Sequence, residues 1–118
     1  MPLALKLLGV GISENQLRAQ VQITASGNYP AGGDTLDFTP LIGQAVGVPV
    51  FAPNNPPVYG VAQGSTGDDY DFIPGTTLAN GKIKVNTASN TELGAGAYPA
   101  RITGDVSLFG EFVFNKLL

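Results

Sequence analysis

The chain of 118 residues contains no cysteine and no histidine, and only 13% of its residues are charged. Without cysteine there is neither a disulfide framework nor a thiolate metal site, and cysteine usage says nothing about redox compartment. Without histidine the usual general base, the commonest metal ligand and the side chain that titrates near neutral pH are all missing. The serine-triad, papain-like and zinc-hydrolase arrangements are therefore out of reach. Charge at about half its usual share predicts an exterior of Ser, Thr, Asn, Gln and Gly. Part of that exterior is expected to contact another protein, because a lone soluble domain keeps itself dispersed with mixed charge. The six cations, Lys6, Arg18, Lys82, Lys84, Arg101 and Lys116, are scattered through a chain of net charge −3. They form no stripe able to neutralise phosphates, so nucleic acid is not an expected partner. Long hydrophobic runs are lacking too. MPLALKLLGVGI breaks far short of the roughly 20 apolar residues of a membrane span. Its one cation, Lys6, lies inside the run, and no small-residue cleavage pattern follows. The expectation is a soluble, unprocessed chain with no membrane partner.

What the sequence has in abundance is turn chemistry. Sixteen glycines and nine prolines are spread over the whole length and leave no uninterrupted helical window of any size. Leu17, Ala19, Val21, Ile23 and Ala25 alternate with Arg18, Gln20, Gln22 and Thr24, the period of a strand with one face buried. Leu3, Leu5 and Leu7 alternate in the same way as a first strand, with Val10 to Asn15 as the connection. Ser13 and Gln16 have capping-box spacing, which makes a short helix over Ser13 to Gln20 the competing reading. Further strands are predicted at Thr35–Thr39, Ala45–Phe51, Val58–Gln63, Tyr70–Ile73, Lys82–Asn86, Ala97–Thr103 and Asp105–Phe114, the last with a bulge near Gly110. Asn80-Gly81 before Lys82, Ile83, Lys84 and Val85 is a hairpin signal. Val48–Gly60, with four prolines, reads as an edge strand or a crossing loop. Eight or nine short antiparallel strands imply an all-β fold, a jelly-roll-like β-sandwich in one domain over residues 1–118.

Chemistry-bearing residues are sparse. Carboxylates remain, but no pair is placed by the sequence across a cleft as a glycosidase needs, and the reading is that the protein is not an enzyme and uses no cofactor. The densest acidic cluster is GSTGDDYD, where Asp68, Asp69 and Asp71 follow glycines and are weak candidates for holding Ca²⁺ through oxygen ligands. It lacks EF-hand spacing. The plainer reading is a solvated turn with Asp69 and Asp71 to water and Tyr70 and Phe72 inward. TASGNYPAGGDTLDFT, Thr24 to Thr39, has no lysine and no following helix to make a phosphate loop. It reads as a wide corner with Tyr29 at its tip. Phe38, Phe51, Phe72, Phe109, Phe112 and Phe114 are assigned to the core, while Tyr29, Tyr59 and Tyr98, beside Pro or Gly, are the surface candidates.

GNYPAGGDTLDFTP (Gly27 to Pro40), GKIKV (Gly81 to Val85), TELGAGAYPARIT (Thr91 to Thr103) and the terminal GEFVFNKL (Gly110 to Leu117) occur in an order that resembles small structural proteins of tailed bacteriophages. The likeness covers most of the chain after residue 17 and rests on turn and core motifs. It departs from that pattern in the proline-rich Val48–Gly60 and in Asp69-Tyr70-Asp71-Phe72. The resemblance implies a capsid decoration or cement protein on the outer capsid surface of the virion. Its partners would be the major capsid protein and itself, as a homodimer or homotrimer. Strands at the chain ends, Pro2 to Val10 and Glu111 to Leu118, are then the expected assembly contacts, because such strands are free to add to a neighbour's sheet. With Tyr29, Tyr59 and Tyr98 they give Leu3, Leu5, Leu7 and Phe114 as protein-contact candidates. The alternative is a receptor- or glycan-binding β-sandwich module of a phage tail or fibre, with exposed aromatics in a shallow groove.

Overall fold

The computed structural model of the protein describes residues 3–12, 15–44, 55–87 and 89–115. Nine strands and two single-turn helices follow one another in it: β1 (Leu3–Ile12), β2 (Gln16–Ala25), β3 (Asn28–Tyr29), β4 (Asp34–Leu36), α1 (Pro40–Gln44), β5 (Tyr59–Gln63), β6 (Asp69–Ile73), β7 (Gly81–Asn86), β8 (Gly96–Ala97), α2 (Ala100–Thr103) and β9 (Phe109–Asn115). Seven of the strands pair antiparallel in the order β1-β2-β9-β5-β6-β7-β4, and β3-β8 form a separate two-stranded ribbon. The sheet curls until its edges β1 and β4 approach one another. The short-stranded, antiparallel all-β domain is as the turn spacing predicts. Its facing layers come from the curl of one sheet, with the ribbon as the second sheet among the described residues.

Period-two alternation determines which side chains enter the curl. Leu17, Ala19, Val21, Ile23 and Ala25 of β2 are all buried, and Arg18, Gln20 and Thr24 are exposed. Phe38, which follows β4, is fully buried. Its ring lies edge-on to Phe112 at 4.9 Å, Phe114 at 5.7 Å and Phe72 at 6.0 Å, the arrangement that suits the ring quadrupoles. Leu41 of α1, Leu78 and Ile102 of α2 complete the core.

Several boundaries differ from the sequence reading. Gln16–Gln20 is strand, so the capping-box spacing at Ser13 does not decide that part of the segment; Ser13 and Glu14 lie outside the described residues. Ala97–Thr103 is not one strand. Gly96–Ala97 pairs with β3, and from Ala100 the chain makes a helical turn that buries Ile102. β9 carries no bulge at Gly110, because Leu108, Gly110, Phe112 and Phe114 are already in phase on the buried face and the pairing with β2 runs on without a shift. The phase change lies in β1. Leu8 is the extra residue between Leu7↔Val21 and Gly9↔Gln20, so the apolar set moves from Leu3, Leu5 and Leu7 to Val10 and Ile12 while staying on one face. Val10 and Ile12 are therefore strand and not connection. The predicted strand Ala45–Phe51, and with it Phe51, falls outside the described residues.

Candidate functional site

The two most distinctive sequence stretches, GNYPAGGD and TELGAGAYPA, meet in a single clasp. Asn28 pairs with Ala97 and Tyr29 with Gly96. The Tyr29 hydroxyl donates to Glu92 Oε2 at 2.8 Å and accepts from the Val85 N–H at 3.1 Å, and Glu92 Oε2 also accepts the Gly32 N–H at 2.7 Å. Tyr98 donates to the buried Asp34 and packs edge-on against Tyr29 with ring centroids 5.8 Å apart. Gly32 and Gly33 hold φ of 90° and 122°, which only glycine adopts without strain, and they let the chain turn back over this clasp. Burial, followed by the Glu92 carboxylate, pushes the Tyr29 phenol up to about 12, against the opposing effect of the Val85 N–H. Burial and the Asp34 carboxylate raise Tyr98 as well. Hydrogen bonds from Gly32 and then Tyr29 hold Glu92 below its ordinary range.

Tyr29 and Tyr98 are therefore not surface rings. Each is buried because its hydroxyl finds a partner inside, which neighbouring Pro and Gly residues do not reveal. Of the three tyrosines expected outside, Tyr59 on β5 is exposed.

The acidic turn also resolves differently from a cation site. Both oxygens of Asp68 accept from Arg101, from Nε at 3.1 Å and from Nη2 at 3.0 Å, and Thr66 donates to Oδ2 at 2.6 Å. The Arg101 guanidinium is the main reason the Asp68 carboxyl sits below its usual range. Asp69 and Asp71 point to solvent from β6, Asp71 accepting from Asn86 at 3.1 Å, while Tyr70 is buried. The three carboxylates do not converge, and no group of metal-ligating side chains occurs among the described residues. Asp105 fastens the same turn from α2's side by accepting the Ser65 N–H at 2.9 Å and its hydroxyl at 2.7 Å. Sequence reasoning missed the Arg101–Asp68 fork because 33 residues separate its members.

Of the strands expected to mediate assembly, β9 is central. β2 and β5 occupy both its edges, and Phe114 is fully buried, so the described part of the C-terminal segment has no free edge to offer. β1 is an edge strand, but Leu3 and Leu5 are core residues and Leu7 is half-buried. One half of this edge is blunted. The Gln44 side-chain amide accepts the Leu7 N–H at 2.6 Å and donates to the Leu5 carbonyl at 3.0 Å, taking the place of a paired strand. Beyond the bulge no strand pairs with the outer side of Gly9–Ile12 among the described residues, and Val10 and Ile12 are 38% and 70% exposed.

A second surface feature is a groove of about 660 Å³ across the outer face of β2, β9 and β5. Register sets its rows: Gln20, Glu111 and Val61 lie side by side, and next to them Gln22, Phe109 and Gln63. Leu8, thrown outward by the bulge, closes one side. Phe109 was assigned to the core by its apolar neighbours, but it alternates with the buried Leu108 and Gly110 and stands 45% exposed.

Comparison of the chain with protein-family models, with curated proteins and with solved structures yields no match.

Proposed function

We propose that this protein is a non-enzymatic structural component of a tailed-phage head, a decoration protein that binds the outside of the shell and clamps neighbouring major capsid subunits. The observation that supports this reading is the open half of the β1 edge. Backbone groups and the exposed Val10 and Ile12 are presented together there, next to a half that Gln44 has capped. An extended segment of a capsid subunit adds to such an edge by main-chain hydrogen bonds, with alternate side chains in contact. The charge-poor composition suits a surface that is covered in use. Binding only to the assembled, expanded lattice adds free energy to that state by mass action. Self-association of the decoration protein would turn many modest contacts into one strong clamp.

The test uses expanded empty shells built from the cognate major capsid protein. Wild-type protein co-sediments with the shells, and a folded Val10→Pro variant, unable to donate at the edge, loses occupancy. Shells that bind neither protein, or both equally, overturn the reading.

A further inference from the structure

We infer that the groove across β2, β9 and β5 is a binding site for a neutral saccharide. Its size lies within the range of small-ligand sites. The Phe109 ring and the Val61 and Leu8 side chains give it an apolar floor and wall, exposed at 45%, 52% and 51%. Gln20 and Gln63 stand at opposite sides, on strands separated by β9. Two strand spacings across and two residues along, roughly 12 Å, separate them, a width that one sugar ring with its hydroxyls fills. Neither amide makes a side-chain hydrogen bond among the described residues, whereas the neighbouring Gln22 is committed to the Val106 carbonyl at 2.8 Å. An amide both donates and accepts, as a hydroxyl does.

Charge narrows the ligand further. Glu111 is the single charged residue of the lining, and Arg18 neutralises it at 3.0 Å from the groove's rim. A phosphate or sulfate finds no free cation there, and a cationic ligand finds its carboxylate already engaged. A wholly apolar ligand would leave two amides without partners. An uncharged molecule with hydroxyls on its rim and an apolar face fits all three conditions, and that is the chemistry of a pyranose on an aromatic ring. This site does not depend on the shell-binding reading, since it lies on the outer sheet face and not at the open β1 edge.

The experiment is a titration of the ¹⁵N-labelled full chain with maltotriose, cellotriose, chitotriose and a galactose trisaccharide at millimolar concentration, with sialyllactose and a heparin disaccharide as charged probes. At least one neutral sugar is expected to shift the amides of Gln20, Val61, Gln63, Phe109 and Gly110. Phe109→Ala should weaken that binding about tenfold, the scale on which loss of a central contact ring acts. Gln63→Ala, which touches only an exposed amide, should weaken it too and guards against a folding defect in the first variant. No shift from any neutral sugar, a preference for the charged probes, shifts confined elsewhere, or unchanged binding by both variants would overturn the assignment. So would protection of these amides by shells when no sugar moves them.

Discussion

Replacing Gly60 by alanine probes how the aromatic core is packed. Gly60 pairs across the sheet with Phe112, whose ring folds over the position a side chain would take. A Cβ at Gly60 would stand 2.2 Å from Phe112 Cδ1 and 2.7 Å from Cε1, with Phe72 Cδ2 at 3.1 Å, well inside the roughly 3.5–4.0 Å of a relaxed carbon contact. The ring has little room to yield. It is fully buried, Phe38 and Phe72 lie against it at 4.9 and 5.0 Å, and a Cβ on Gly110 would itself come within 2.6 Å of its other edge. Overpacking of this kind costs about 1–3 kcal/mol, and the lower chain entropy of unfolded alanine offsets about 0.4–1 kcal/mol of it. A net loss of about 1–2 kcal/mol corresponds to a Tm lower by roughly 4–8 °C for a domain of this size. Calorimetric melts measure it. Gly11→Ala is the control, with nothing within 4 Å of the added carbon, and its Tm should not fall. In the Gly60→Ala, Phe112→Leu double variant the losses should be less than additive, because the ring carbon lost is one that clashes. A Gly60→Ala protein as stable as the wild type refutes the packing argument.

The remaining expectations concern the clasp, the edge and the acidic turn. Tyr29→Phe leaves the buried Val85 N–H without its acceptor, and urea unfolding should show a loss of about 1–3 kcal/mol; an unchanged midpoint contradicts the clasp. The folded-state phenols of Tyr29 and Tyr70 are raised from 10.0 to about 12 and that of Tyr98 is raised too, mainly by burial. Their contribution to stability is thus complete below about pH 10 and declines as pH rises from there towards about 12. At the acid side Asp68 and Asp105 are lowered from 3.8, by Arg101 and by the Ser65 N–H respectively, so their contribution is present above that value and lost as pH falls below it. Melting temperature against pH checks both limbs, and a flat alkaline limb would count against the buried phenols. Gln44→Ala uncovers Leu5 and Leu7 at the β1 edge; faster exchange of the Leu7 amide and greater self-association in light scattering are expected. Calcium or a chelator should leave Tm unchanged, because Arg101 already occupies both Asp68 oxygens.

How much of this was legible depends on the range of each interaction. β2 could be read residue by residue, because a strand with one buried face imposes period two within the strand itself. β6 and β7 do form a hairpin, although Gly81 is already the first residue of β7 and neither Asn80 nor Gly81 takes the positive φ of a two-residue turn, and the glycines of the Gly27–Gly33 corner do take positive φ. Phe109 was misplaced because it looks like its apolar neighbours, although strict alternation from Leu108 would have put it outside. Leu8 is harder, since a bulge shows in the sequence only as a change of parity between Leu7 and Val10, which two glycines obscure. The candidate groove had no signal at all in the chain order. Gln20, Val61, Gln63 and Phe109 become neighbours only through the pairing of β2, β9 and β5.

The sequence by itself determined the class of structure and much of what the protein lacks. Glycine and proline spacing forbids long helices, alternation demands sheet, and the absence of cysteine and histidine removes whole families of chemistry. These are properties of single residues and near neighbours, and they act before any tertiary contact forms. The tertiary structure alone decided that β9 is central and β1 an edge, that Gln44 caps half of that edge, and that Tyr29 and Tyr98 are buried. Each of those outcomes joins residues far apart in the chain. Which distant partner satisfies a buried hydroxyl or an open strand edge is fixed by the order in which strands pair and the curl that closes them, and local composition does not encode that order.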